Sequence, residues 1–463
     1  MIGVTEFNRW KTVRSTWLEE GGRRLDCNPY MSGALEARDA LRSLSSPKNK
    51  LADVTDRIFH AGREGRLWVD DLEFGIPFFG SSDILNADLA SLPLIAKRQV
   101  LRNPLFTIQR GWTLITRSGT IGRMSYVREE MTGLACSEHV LRVAPDEDRI
   151  PSGYLFAFLS SRYGVPLVVS GTYGAIIQHI EPQHIADLPV PRFGEAFERQ
   201  VSNLIDAAAT HRTLASTKRR AAIQVVLNQL QWKGLSAAEL STSVPAASIL
   251  RRMDAFHHST KVGFSSNTLD SCQSACLGDV VESVFEPNRG SRLKVDDPSY
   301  GIPFLSSSSV FELRPRGDYL ISRSLTPHIE SLLLSSRDVL LPRSGQVGGI
   351  IGRAVLPLQG NIGQAGSEHL VRVRCKSEAD AAYLWAVLAS EPGYWTVVGT
   401  AFGSSIPSLD TGLIQKIRVP WFEPAERELI SRLAQEAVMA QDAGNELEAT
   451  AIGLVEQKIG RGE

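Results

Sequence analysis

Ser137-Glu138-His139 sets a hydroxyl, a carboxylate and an imidazole side by side, the group types that a hydrolase combines. The tripeptide recurs as Ser367-Glu368-His369, and each copy runs into an apolar-Arg-Val segment. That recurrence ahead of a strand favours a structural turn, with carboxylate and imidazole bonding backbone groups, over catalysis. Other chemistries fall short. No Gly-x4-Gly-Lys-Ser/Thr phosphate loop is present. Asn28-Pro29-Tyr30 is like the Asn-Pro-Pro-Tyr loop of amino-methyltransferases but lacks its second proline, and no glycine-rich cofactor loop follows a strand nearby. Glu456-Gln457-Lys458 is the tail of a metal-nuclease pattern without an acidic partner in register. Cys272-x3-Cys276 has no second pair to complete a zinc site. The glycines of Gly345–Gly352 suit a tight β-turn better than a dinucleotide loop.

The elements around these residues occur twice. Residues 51–82 align without gaps to 277–308, with 16 of 32 positions identical, among them the Asp70-Asp71/Asp296-Asp297 pair and Gly75-Ile76-Pro77-Phe78 against Gly301-Ile302-Pro303-Phe304. Downstream, Arg117-Ser118-Gly119-Thr120-Ile121-Gly122 meets Arg343-Ser344-Gly345-Gln346-Val347-Gly348, Gly171-Thr172 meets Gly399-Thr400, and Val190-Pro191 meets Val419-Pro420. Upstream, Arg24-Leu25-Asp26 meets Arg252-Met253-Asp254. The offset drifts only from 226 to 230, so insertions are small and belong in loops. Solenoid repeats run about 20–50 residues, so this is a duplicated domain, with two similar sites that need not bind the same thing.

Each half begins with short β-rich runs, Trp112–Thr116 and Val140–Val143 in the first, Asp338–Leu341 and Leu370–Val373 in the second. Short helices are expected around Tyr154–Ser161 and Ala381–Ser390. A long proline-free helix then closes each half, over Gly194–Trp232 and Pro424–Ile459, Pro424 standing where a missing N–H costs nothing. In the second helix Ile430, Leu433, Ala437, Ala440, Gly444, Leu447, Ala451 and Leu454 form a heptad seam. In the first, Val201, Leu204, Ala208, Ala215, Ala222 and Val225 hold the seam while His211 and Lys218 interrupt it. Each helix would be roughly 55 Å long, and the other helix is its natural partner. Gly234–Leu250 is small, polar and proline-containing, a linker between halves.

Length and composition set the bounds. The 463 residues suffice for two to three domains, and 43% apolar with 22% charged residues excludes a disordered chain. Lys plus Arg is 50 against 51 Asp plus Glu, so any nucleic-acid surface is a local patch. Five cysteines, an odd and small number, fit a reducing cytosol. No signal peptide or apolar run near ~20 residues is seen, so a cytoplasmic soluble protein is expected.

A β-rich module followed by a long helix, twice over, resembles the specificity subunit of Type I restriction–modification systems, from about Arg24 to Ile459. Trp112–Gly122 and Asp338–Gly348 look like that family's "gly-asp-ile-leu … gly-x-x-gly" hairpin, with Trp112 replacing the aspartate in the first. Gly171-Thr172 through Ile185, Leu188-Pro-Val-Pro191 and Glu198-Arg-Gln200 resemble its passage into the helix; Ile417-Arg-Val-Pro420 and Glu426-Arg-Glu428 are the looser second copy.

The resemblance implies an α+β fold of two tandem pseudo-symmetric β-rich target-recognition domains, each followed by a long α-helix, the two helices packing as an antiparallel coiled coil. The domains would span 1–193 and 251–422, the spacer helices 194–233 and 423–463, and the linker 234–250. It implies a non-catalytic subunit reading a bipartite double-stranded DNA target, one half-site per domain. Methyltransferase subunits, two in number, and a restriction/translocase subunit would be its partners. S-adenosylmethionine, ATP and Mg would reside on those partners and none on this chain, which would hold no metal. Candidate DNA-binding residues are Arg117, Ser118, Thr120, Thr172, Tyr173, Gln178 and His179 in the first half, and Arg343, Ser344, Gln346, Thr400, Ser404 and Ser405 in the second. Arg63, Arg66, Arg289 and Arg292 could clamp phosphates. The shared Arg-Ser-Gly positions point to turn geometry or backbone contact more than base choice. The alternatives are a recognition subunit of another methylation-based phage-defence system, told apart by its genomic neighbours, and a stand-alone DNA-modifying enzyme.

Overall fold

The computed structural model describes residues 12–20, 28–90, 92–170, 179–234, 243–250, 252–403 and 405–462. The chain forms two compact units, one comprising residues up to Thr213 together with those from Ala443 onward, the other Leu214–Asp442. Both divisions fall inside the long helices, Glu195–Gln229 and Pro424–Gly460. These helices have the extents expected from their proline-free runs, to within three residues at each end.

In the first unit one antiparallel sheet orders Thr55–Phe59, Val140–Pro145, Thr113–Thr116 and Met124–Tyr126. A second orders Trp68–Val69, Leu94–Ala96, Gly75–Phe79 and Ala135–Cys136, the last pair parallel with Phe78 opposite Ala135. Val140–Pro145 is buried at every position, so it reads as a continuous apolar run rather than an alternating one. The exception is Arg142, whose guanidinium lies fully inside. It donates to the carbonyls of Ser137 at 2.8 Å, Val140 at 2.6 Å and Phe106 at 3.4 Å, and also to that of Cys136. A ribbon pairs Lys48–Lys50 with Pro189–Pro191, and the buried Tyr154 donates its hydroxyl proton to the Pro191 carbonyl at 2.5 Å.

The second unit rebuilds this plan. Ser283–Phe285, Leu370–Arg374 and Asp338–Pro342 form one sheet; Lys294–Val295, Tyr319–Ser322, Gly301–Leu305 and Ala365–Gly366 form the other, again with Phe304 opposite Ala365 in parallel. Arg372 repeats Arg142, donating to Ser367, Leu370, Leu332 and Gly366 carbonyls. Burial pushes its guanidinium down to about 10. Tyr383 repeats Tyr154, bonding the Pro420 carbonyl at 2.6 Å. The strand equivalent to Met124–Tyr126 is reduced to one bridge, Leu340 with Val355.

Each unit packs a stretch of both long helices into its core. In the first, Val201 and Ile205 share a cluster with Ala451, Ile452, Val455 and Ile459. Gly444 sits against Ala208 and Arg212, where an added Cβ would lie 3.0 Å from the Ala208 carbonyl oxygen. Arg212, buried, pairs with the buried Glu448 and donates to Asn445 at 3.1 Å. In the second unit Ala222 and Val226 join Ile430 and Ala434. Lys218, an expected break in the seam, reaches Glu436 at 2.6 Å. Arg212 and Lys218 are accommodated here because each finds a charged partner on the other helix. Among the described residues no helix is long and apolar enough to cross a membrane.

Candidate nucleic-acid interface

The Arg-Ser-Gly loop leaves the strand Thr113–Thr116 and returns at Gly122, whose N–H donates to the Thr116 carbonyl at 3.0 Å. Gly122 has φ +81°, and a Cβ there would meet Val169 Cγ2 at 2.4 Å, so only glycine closes the loop. The loop borders a cleft of about 220 Å³ lined by His60, Arg63, Arg117, Glu138, His139, His179 and Glu181. Arg117 is held from several sides. Its Nε donates to the Ile180 carbonyl at 2.8 Å, Nη1 to the Glu138 carbonyl at 3.4 Å, and Nη2 pairs with Glu181. His60 Nε2 lies 3.3 Å from Glu181 on the other side. Arg66 Nη2 pairs with Glu138 at 3.1 Å and its guanidinium lies 5.0 Å from the centre of the Phe78 ring.

The carboxylates take their ionisation from these cations. Burial pushes Glu181 up, but the hydrogen bond and charge of Arg117, with His60, hold it below the usual range. Burial likewise raises Glu138, and its own N–H, Arg66 and His139 outweigh that. Ser118 Oγ lies 2.7 Å from His179 Nδ1 and 3.3 Å from His139 Nδ1.

The Ser-Glu-His tripeptide is a turn, but its parts differ from expectation. The serine hydroxyl accepts a backbone bond as well: His139 N donates to Ser137 Oγ at 3.0 Å and His369 N to Ser367 Oγ at 3.1 Å. The Glu138 carboxylate takes its own N–H, and each glutamate also pairs with an arginine, Arg66 in one copy and Arg292, at 3.0 Å from Glu368, in the other.

The second unit keeps the backbone bonds that anchor the loop and changes its length and its ion pairs. Arg343 N donates to the His369 carbonyl at 2.7 Å, as Arg117 N does to His139 at 2.9 Å. Its guanidinium pairs with Glu286 at 2.7 Å, at the position matching His60; Asp410, matching Glu181, caps the helix Thr411–Gln415 as Glu181 caps Pro182–Ile185, so the cap is kept while the arginine's carboxylate partner changes. Ser408 replaces His179 and meets Ser344 Oγ at 2.8 Å. The glycine that closes this loop is Gly352, not Gly348: its N–H donates to the Pro342 carbonyl at 3.0 Å and its Cβ would meet Val398 at 2.8 Å. The loop is therefore four residues longer, and the change of offset from 226 to 230 lies here.

No family model matches this chain, and no curated protein does. Solved structures do. The S subunit of the Type-I restriction-modification system from M. genitalium is similar over 90% of this chain and 95% of that one, at 9% identity and a TM-score of 0.37. The HsdS subunit from Thermoanaerobacter tengcongensis matches over 89% and 95%, at 12% identity and a TM-score of 0.28. A chain solved in work on complex assembly and conformational transition of the type I R-M system matches over 89% and 97%, at 13% and 0.27. The structural neighbours of this chain include Type I S (HsdS) subunits.

Of the positions that likeness to S subunits had singled out, Thr172, Tyr173, Gln178 and Ser404 lie outside the described residues. Arg63, Arg117, Ser118 and His179 converge on the first cleft or its edge. Thr120 is exposed at the loop tip, its carbonyl accepting the Thr116 hydroxyl at 2.5 Å. Arg289 is exposed and 3.4 Å from Glu286; Arg292 also donates to the Tyr319 hydroxyl at 2.7 Å. Gln346 donates to the Ser405 carbonyl at 2.9 Å, joining two exposed loop positions. Thr400 departs from the others: it is 5% exposed and its hydroxyl donates to the Val397 carbonyl at 2.7 Å, so it finishes the helix Glu391–Val398 and does not face solvent. His60 and Glu181 of the first cleft, and Glu286 beside the second loop, are absent from the residues read from the sequence. For His60 and Glu286 the one sequence signal is their mismatch inside an otherwise well-matched stretch; Glu181 has none. Among the described residues no cluster of His, Cys, Asp or Glu could hold a metal ion.

Proposed function

We propose that this chain is the specificity subunit of a Type I restriction–modification complex. One observation carries the proposal: an Arg-Ser-Gly loop anchored by matching backbone hydrogen bonds is built twice, each time beside a different set of polar side chains. A repeated frame with changed lining is what reading two unlike half-sites requires. In this reading residues 1–193 and 251–422 are the target-recognition domains and 234–250 the linker. Residues 194–233 and 423–463 form an antiparallel coiled coil that fixes the spacer. Half-sites on one face of B-DNA repeat about every 34 Å, within the span of these helices. Arg63, Arg289 and the two Arg-Ser-Gly loops contact the DNA. Two methyltransferase subunits dock along the helices with S-adenosylmethionine, and a restriction subunit supplies ATP-driven translocation and Mg-dependent cleavage, all in the cytoplasm. This chain catalyses no step.

Mapping methylated positions in the host genome tests the reading: a bipartite motif with a fixed spacer is expected, lost on deletion of this chain. A second test is purified chain alone with DNA, Mg²⁺ and labelled S-adenosylmethionine. Turnover there would favour the enzyme alternative.

A further inference from the structure

Several polar side chains around the second Arg-Ser-Gly loop are engaged within the protein itself. Arg343 is paired with Glu286. Ser344 Oγ meets Ser408 Oγ at 2.8 Å, Gln346 donates to the Ser405 carbonyl at 2.9 Å, and the Thr400 hydroxyl donates to the Val397 carbonyl. The segment that follows Thr400 turns two large apolar side chains outward instead. Phe402 is 49% exposed and Ile406 69%.

The backbone holds Ile406 in place. Phe402 and Ser408 bond each other across the segment, N to O at 2.9 and 2.8 Å, and Gly403, at φ +94°, turns the chain between them. On either side of Ile406 the chain is tied to the Arg-Ser-Gly loop, the Ser405 carbonyl by Gln346 and the Pro407 carbonyl by the Gly345 N–H at 3.1 Å. Just beyond, the Leu409 N–H donates to the Arg343 carbonyl at 2.8 Å. A β-branched side chain also has few rotamers open to it. A stiff apolar group therefore stands in water beside the loop that both units share.

We infer that Ile406 reads the C5-methyl group of a thymine in the half-site of the second unit. The inference rests on the function proposed above and deepens it. An isoleucine side chain makes no hydrogen bond to a base edge, and the thymine methyl is the apolar feature that the major groove presents to it. Phosphates position a protein on DNA through polar and charged partners, so they give this side chain nothing to bind. The hydroxyl of the neighbouring Ser405 serves a donor or an acceptor equally and so selects no base.

The test uses the assembled complex and the motif found by mapping methylated positions. The half-site of the second unit is the one that changes when residues 251–422 are exchanged for those of a homologous chain. Each thymine in it is replaced singly by deoxyuridine, which lacks only the methyl group. At one position the wild-type complex should lose about fourfold in affinity, the worth of burying one methyl group. Ile406→Ala, a truncation at an exposed position that spares the core, should bind the thymine and deoxyuridine duplexes alike. No sensitive thymine in that half-site, or a loss that persists in Ile406→Ala, overturns the assignment. So does a variant that binds every sequence more weakly with no dependence on the methyl group, the mark of a wedge between base steps. A wild-type complex without a bipartite motif defeats the function itself, and the assignment with it.

Discussion

The two β-rich modules differ where they face the Arg-Ser-Gly loop and agree almost everywhere beneath it. Arg142 and Arg372 fill the same carbonyl cage, Tyr154 and Tyr383 tie the same ribbon, and Phe78 and Phe304 pair in the same parallel register. Above that frame, the counter-charge of the loop arginine moves from Glu181 to Glu286, His179 becomes Ser408, and four residues enter the second loop. Duplication has kept what holds the backbone and let go of what touches its surroundings. Recurrence across the modules therefore marks scaffold and, under the proposed function, contacts to the sequence-independent phosphate backbone, while divergence at matched positions marks candidates for base choice.

The strongest way to break that division is through the buried guanidiniums. Arg142→Met and Arg372→Met each strand several carbonyls inside a sheet, and each should cost about 4 kcal/mol or more in urea unfolding. Lysine should not rescue either one, because it lacks the planar fork. A large loss in one module and none in the other would refute the equivalence. The loop glycines come next. Gly122→Ala and Gly352→Ala combine a left-handed backbone with a close Cβ contact, so about 2 kcal/mol is expected, more for Gly122, whose contact is 2.4 Å against 2.8 Å.

Arg343→Ala sharpens the comparison from the recognition side. It should leave the first half-site intact, weaken DNA binding by the complex, and lower the slope of log affinity against log salt by about 0.9 if one phosphate contact goes. Unchanged affinity and slope would remove Arg343 from the interface. The smallest effect is in acid. Glu138 and Glu181 have folded values below the ordinary 4.5, so their contribution is complete above that pH and is lost as the pH falls through the depressed values. The melting temperature should therefore fall below about pH 4.5 less steeply in Glu181→Gln than in the wild type.

Much of this was legible in the sequence. Proline-free runs with a heptad seam gave the long helices, because helix length and packing face are local patterns. The matched stretch 51–82/277–308 gave the duplicated frame, because identical residues there serve identical backbone needs. The cleft was not legible. Arg117 meets a partner 64 positions away, and nothing in its own neighbourhood names Glu181 over any other acid. The second copy offers Gly345, Gly348, Gly349 and Gly352, and only the N–H bond to the Pro342 carbonyl and the bulk of Val398 pick out the last, so sequence alignment pairs Gly122 with Gly348 instead. Thr400 looked available because its type suits base contact, while the helix end that consumes its hydroxyl is a tertiary fact.

The division of the helices between the units also orders events during synthesis. Leu214–Asp442 is one uninterrupted stretch, so the second module has all its parts while the ribosome is still working. The first must wait: Ala451, Ile452, Val455 and Ile459, which seal its interior, are added more than two hundred residues after the strands they cover. The half translated earliest is thus the one that finishes latest, and a stop codon shortly after Asp442 would cripple the front of the protein rather than its rear.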